Sequence, residues 1–250
     1  MTDAPPEYFT RADGARLAFR RIGGLRKKSA PTIVFLPGYM SDMMGSKALA
    51  LEAWAIQHNH AMLRLDYFGC GESDGDFADA TLTMWRDDVV AMIELLIRGP
   101  VILVGSSMGG WLMLMIALKL GSDMRGMIGI AAAPDFTEWG YSDEQRTAIY
   151  RDGVVYEDNP YGPDPTPTYR ALFESGRSNL MLDSPIPITC PVRLLHGQDD
   201  MDVPWQISVK LADALTSNDV IVTLIKDGDH RLSGEKEIAL LLATVDALMQ

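Results

Sequence analysis

The sequence predicts an α/β protein: a doubly wound, mostly parallel sheet with an inserted cap. Three observations predict it. Short apolar, β-branched runs alternate with helical stretches, the order that builds a parallel sheet flanked by helices. Runs such as Thr32-Ile33-Val34-Phe35-Leu36 and Val101-Ile102-Leu103-Val104 are apolar on successive residues, as strands covered on both faces require. The rhythm breaks over 134–184 and then resumes. At 250 residues the chain suits one domain over 1–250, with the irregular stretch as a cap of about 134–184.

The elements follow in order. A strand-like piece lies near Leu17–Ile22, and Thr32–Leu36 is a buried strand ending at Pro37-Gly38. A helix is expected near Ser46–His58 and a strand over Ala61–Leu65. The loop Asp66-Tyr67-Phe68-Gly69-Cys70-Gly71-Glu72-Ser73 is rich in turn formers. Trp85, Val89, Met92 and Leu96 recur at spacings of three and four, one apolar face of a helix over about Thr83–Arg98. Gly99-Pro100 stops it. After the strand Val101–Val104, the stretch Trp111–Leu120 is apolar on every side, which predicts a helix buried at the centre. A strand follows at Met127–Ala132. The cap holds many turn formers and the aromatics Phe136, Trp139, Tyr141, Tyr150, Tyr156, Tyr161, Tyr169 and Phe173, read as short helices and loops. The pattern returns with a strand at Val192–Leu195, a helix over Trp205–Leu215, a strand at Val220–Ile225 and a helix near Glu235–Met249.

Composition narrows the function. The net charge of −12 disfavours nucleic acid and anionic membranes as partners. The short basic run Arg26-Lys27-Lys28 reads as a solvated loop. Cys70 and Cys190 stand apart, without C-x-x-C or Cys/His ligand spacing, so no metal site is expected. The opening residues carry neither a basic n-region nor an apolar h-region, and the longest apolar run, around Met108–Leu118, is too short to span a bilayer. A cytoplasmic protein is the expectation.

The chemistry concentrates at Gly105-Ser106-Ser107-Met108-Gly109. A buried strand runs straight into these residues and a buried helix leaves them, the setting of a nucleophile elbow. The residues two before and two after the serine must be small, because their backbones nearly touch. Gly105 and Gly109 are, and the register is fixed because Ser106 would need glycine where Val104 stands. A serine hydroxyl needs a base, and the base needs an acid to hold its tautomer. In an elbow fold the order is Ser, then Asp or Glu, then His. Of four histidines, His58 and His60 precede the elbow, His196 reads as a turn residue before Gly197, and His230 follows the last strand. His230 is the candidate base. For the acid, Asp199, Asp200 and Asp202 compete. The developing oxyanion needs donors: the N–H of Met108, directly after the serine, and the N–H of Tyr39 in the loop after the first core strand.

Together, Leu36-Pro37-Gly38, Asp66-x-x-Gly69-x-Gly71-x-Ser73, Gly105-x-Ser107-x-Gly109, Asp200 and His230 resemble the α/β-hydrolases over nearly the whole chain from Thr32. The pattern H-G-x-x-D-x-x-V-P of that fold places its acid at Asp200, with Asp202 second. Phe35–Ser41, Gly105–Leu114 and Cys190–Gly197 are similar to the mitochondrial abhydrolase-domain acyl-protein thioesterases, a group also described as acyl-glucuronide esterases. The resemblance implies cleavage of thioesters and oxygen esters, palmitoyl-cysteine among them, with no cofactor.

Substrate clues are fewer. Met40 and Met108 bracket the expected oxyanion position, and methionine lines adaptable apolar pockets. Met40 and Trp139 are the pocket candidates. The cap holds four arginines against ten acidic residues, which disfavours a coenzyme-A-linked substrate and favours a small-molecule ester or an acylated protein. The alternatives are a C–C hydrolase or perhydrolase using the same triad, and a non-catalytic binding module.

Overall fold

The alternation of uninterrupted apolar runs and helices folds as that order requires. The computed structural model of the chain describes residues 5–23, 30–160 and 162–250. The basic run Arg26–Lys28 and Tyr161 therefore lie outside the described residues. The strands are β1 (Glu7–Thr10), β2 (Arg16–Ile22), β3 (Thr32–Leu36), β4 (Ala61–Leu65), β5 (Val101–Ser106), β6 (Met124–Ile130), β7 (Val154–Glu157), β8 (Thr166–Tyr169), β9 (Val192–Gly197) and β10 (Val220–Ile225). The α-helices are α1 (Ser46–Gln57), α2 (Leu82–Leu96), α3 (Met108–Leu120), α4 (Phe136–Trp139), α5 (Asp143–Asp152), α6 (Arg170–Arg177), α7 (Gln206–Ala214) and α8 (Glu235–Met249).

Eight strands form one sheet in the order β1-β2-β4-β3-β5-β6-β9-β10. From β4 to β10 every pairing is parallel; β1–β2 and β2–β4 are antiparallel. The central strands β3 and β5 are buried at every residue. Alternation along them sends side chains to opposite faces. Val34, Leu36 and Leu103 meet α2 and α3, whereas Ile33, Phe35, Ile102 and Val104 meet α1 and α8. Helix α3 is buried from Met108 to Ala117, as its all-apolar circumference demands. The face of α2 that carries Trp85, Val89, Met92 and Leu96 is likewise buried.

Two differences from the sequence reading concern local structure. Glu7–Thr10 forms an edge strand, antiparallel to β2, ahead of the first strand read from the sequence. Within 134–184, besides α4, α5 and α6, Val154–Glu157 and Thr166–Tyr169 pair as an antiparallel hairpin rather than forming only short helices. These two runs are β-branched and aromatic but only four residues long each, below the length at which a period of two can be distinguished.

One buried charge pair stabilises the wall behind the loop that follows β3. Arg64 Nη2 donates to Glu52 Oε2 at 2.8 Å, and both side chains are at most 5% exposed. The same guanidinium donates through Nη1 to the carbonyl of Met43 at 2.9 Å. Removing one member of such a pair leaves an uncompensated buried charge. Glu52→Ala is expected to lower stability by about 3–5 kcal/mol, read as a thermal midpoint several degrees lower. An unchanged midpoint would show that Arg64 is not left as an uncompensated buried charge.

Candidate active site

The turn between β5 and α3 forces its middle residue out of the ordinary backbone regions. Ser107 sits at φ 53° and ψ −120°, a strained conformation for a residue with a side chain. Neighbouring strands hold it there. Its N–H donates to the carbonyl of Ile130 at 2.9 Å, and its own carbonyl accepts from Ala133 N–H at 3.0 Å and Gly110 N–H at 2.8 Å. Small neighbours are obligatory. A Cβ on Gly105 would lie 2.3 Å from the carbonyl oxygen of Gly109, and one on Gly109 would lie 2.2 Å from that of Leu36.

Two loops at the same edge of the sheet bring the partners in. The loop after β10 carries His230, and the loop after β9 carries Asp200. They pack backbone to backbone: a Cβ on Gly197 would fall 2.0 Å from the carbonyl oxygen of Gly228, and Asp199 N–H donates to that same oxygen at 3.0 Å. His230 Nε2 lies 3.0 Å from Ser107 Oγ, and His230 Nδ1 lies 2.9 Å from Asp200 Oδ2. The structure thus brings Ser107, His230 and Asp200 into one line. Of the competing aspartates, Asp199 binds the neighbouring loop through its backbone. Asp202 N–H donates to Asp200 Oδ1 at 2.9 Å.

The Asp200 side chain is fully buried, and that of His230 is 15% exposed. Burial alone would push the Asp200 carboxyl up, but hydrogen bonds from His196 and His230 and the N–H of Val203 outweigh it and hold it well below the usual carboxylate range. The carboxylate is therefore ionised, so His230 Nδ1 carries the proton and Nε2 is left free to accept from the serine hydroxyl.

His196 corrects the sequence reading. It is not a turn residue but lies within β9, completely buried, with Nε2 3.1 Å from Asp200 Oδ2 and Nδ1 2.7 Å from Ser208 Oγ. The signal available beforehand was the spacing: His196 stands four residues before Asp200.

The remaining expected residues surround a cavity of about 670 Å³ at the end of this line. Tyr39, Met40, Met108 and Trp139 all line it together with Ser107 and His230. As the first residue of α3, Met108 has an N–H with no partner inside the helix. The loop of Tyr39 lies against the elbow, for a Cβ on Gly38 would be 3.4 Å from Ser107 Cβ. Tyr39 donates its hydroxyl to the carbonyl of Pro167 in β8 at 2.7 Å, and burial pushes that phenol well above its ordinary range. Met40 is half exposed with φ 50°. Trp139 Nε1 donates to the carbonyl of Pro134 at 2.9 Å. Lys47 also faces the cavity. It donates to the carbonyl of Arg231 and is pushed down to about 8 by burial and then by the Arg231 charge.

Asp200, Asp202 and His230 are the set, among the described residues, that could approach a cation, with one donor atom of each within 4.8 Å of the others. A cation there would compete with N–H groups that already point at Asp200, two on each carboxylate oxygen. No helix among the described residues is long and apolar enough to cross a membrane.

Comparison with known proteins places the chain in a family and a fold. The Alpha/beta hydrolase family matches residues 33–239. Over 248 residues the chain is 40% identical to "Palmitoyl-protein thioesterase ABHD10, mitochondrial" of Bos taurus, covering 97% of this chain and 79% of that one. The solved structure of alpha/beta hydrolase domain-containing protein 10 from mouse superposes with a TM-score of 0.89 at 39% identity, over 98% of each chain. A crystal structure from Agrobacterium vitis S4 superposes with a TM-score of 0.91 at 35% identity, over 99% of this chain and 100% of that one.

Proposed function

The chain belongs to the alpha/beta hydrolase family, and from that premise we propose that it is a serine esterase and thioesterase that works through an acyl-serine intermediate. The observation that carries the reading is the hydrogen-bonded line from Ser107 through His230 to Asp200, set at a strained elbow that opens into a cavity.

The mechanism follows from the proton positions. Ser107 Oγ attacks the carbonyl carbon of the ester or thioester as its proton passes to His230 Nε2. The imidazolium is stabilised by ionised Asp200 at Nδ1. The carbonyl oxygen becomes an oxyanion between the N–H groups of Met108 and Tyr39. His230 returns the proton to the departing thiolate or alkoxide, leaving an acyl-serine. Water then attacks that acyl group, its proton passing to His230 and on to Ser107 Oγ as the acid leaves.

The substrate class follows the relatives. The bovine relative, named a palmitoyl-protein thioesterase, supports an acyl thioester borne on a protein, palmitoyl-cysteine in particular; small-molecule esters, acyl glucuronides among them, are further substrates in this reading. Met40, Met108 and Trp139 would contact the acyl group. The segment 134–184 acts in this reading as a cap on a single hydrolase domain. The protein would work in an aqueous compartment, the cytoplasm or the mitochondrial matrix, which fractionation of cells expressing it reads directly.

A matched series of thioesters and oxygen esters from acetyl to palmitoyl tests the proposal. Turnover of both classes is expected, with kcat/KM rising by up to about fourfold for each methylene that the pocket buries. A flat chain-length profile would contradict an acyl pocket, and no turnover of any member would contradict the reading itself.

A further inference from the structure

His196 is committed on both ring nitrogens. Nε2 lies 3.1 Å from Asp200 Oδ2 and 3.0 Å from the carbonyl oxygen of Val203. Both partners are acceptors, so Nε2 carries the proton and shares it between them. Nδ1 lies 2.7 Å from the buried hydroxyl of Ser208 in α7, and in the neutral ring with Nε2 protonated it accepts from that hydroxyl. The ring is held by three partners, Asp200, Val203 and Ser208.

The consequence falls on one oxygen. Asp200 Oδ1 accepts from the N–H groups of Asp202 at 2.9 Å and Val203 at 2.8 Å. Asp200 Oδ2 accepts from two histidines at once, His230 at 2.9 Å and His196 at 3.1 Å. A donor that shares an oxygen withdraws part of its negative charge from the other donor. We infer that His196, fixed by Ser208, is a positioning residue that orients the Asp200 carboxylate and moderates its pull on the proton of His230. The inference rests on the serine-hydrolase reading above. It gives a reason for a second buried histidine on a triad acid: too strong a carboxylate would keep His230 protonated, and a protonated His230 cannot accept from Ser107.

Other titratable groups face His230 and bound the effect. Asp202 brings a carboxylate oxygen within 4.8 Å. Lys47 and Arg231 line the same cavity wall, and Asp229 precedes His230 in the loop. Among the described residues, the hydrogen-bond partners of the His196 ring are Asp200, Val203 and Ser208, so its replacement leaves those outer charges in place.

The test is the pH profile of kcat/KM on p-nitrophenyl acetate for the wild type, His196→Gln, Ser208→Ala and the double variant His196→Leu with Ser208→Ala. The double variant removes the donor to Asp200 without stranding the serine hydroxyl. Its acid limb is expected to move upward by about 0.5–1 pH unit, a roughly three- to tenfold loss below the midpoint that fades at higher pH. His196→Gln keeps a donor and should hold the limb near its wild-type position. Ser208→Ala, which keeps the imidazole, should shift it partway and serves if the double variant fails to fold. Limbs that superimpose in every folded variant would overturn the inference, even where activity falls uniformly, because a uniform loss is what a purely structural role produces. Ser107→Ala on the same substrate separates the two levels: retained turnover there would overturn the serine reading, and this inference with it.

Discussion

Ser107→Ala is expected to lower kcat by roughly five to six orders of magnitude while leaving the thermal midpoint within about a degree of wild type. The size follows from what the hydroxyl supplies. Without Oγ there is no acyl-enzyme, and His230 has no proton to accept. What remains are the N–H groups of Met108 and Tyr39 and the cavity, which in comparable sites retain a residual acceleration of about 10³–10⁴ over water. The stability should hold because the turn is fixed by backbone hydrogen bonds to Ile130, Ala133 and Gly110, none of which uses the side chain. Turnover assays beside thermal melts check both halves. A loss below about a hundredfold would mean that another group attacks the carbonyl.

Asp200→Asn is expected to cost about 10⁴ in kcat, and here the fold adds its own reason. Four N–H groups point at this carboxylate: those of His196, His230, Asp202 and Val203. An amide has one oxygen and an NH₂ group, so either orientation sets donor against donor. If the NH₂ faces the histidines, His230 must shift its proton to Nε2, where it can no longer accept from Ser107. If it faces the loop, the N–H groups of Asp202 and Val203 lose their acceptor. The variant should therefore also melt lower than wild type, unlike Ser107→Ala. The pH sign follows from the depressed carboxyl. A group held below its unfolded value contributes stability at neutral pH, and that contribution is lost as pH falls from the ordinary carboxylate range, near 4, through the folded value. Wild-type stability should decline in acid more steeply than that of the asparagine variant. Parallel acid-unfolding curves would contradict the charge argument.

Much of the architecture could be read in advance because its cause is local. The runs Thr32–Leu36 and Val101–Val104 are short and apolar at successive positions, as strands covered on both faces are. The elbow was legible because Gly105 and Gly109 are where backbone contact forbids a Cβ. Chain order pointed to His230, and the geometry brings it to Ser107. What stayed hidden depends on distant partners. Glu7–Thr10 becomes a strand because β2 offers it an edge. The hairpin of β7 and β8 is too short to announce itself. Met40 adopts a left-handed conformation that nothing in its sequence neighbourhood signals. His196 looked like punctuation before Gly197, since its role is set by Ser208, twelve residues on, and by an aspartate whose side chain turns back toward it.

The central claim is that Ser107 is the nucleophile, and the direct measurement is intact-mass analysis and peptide mapping after treatment with a fluorophosphonate. The account predicts a single adduct on Ser107 in the wild type, none in Ser107→Ala, and slower labelling in Asp200→Asn. Folded wild-type protein that takes up no label, or carries it on another residue such as Ser106 or Ser41, would contradict it.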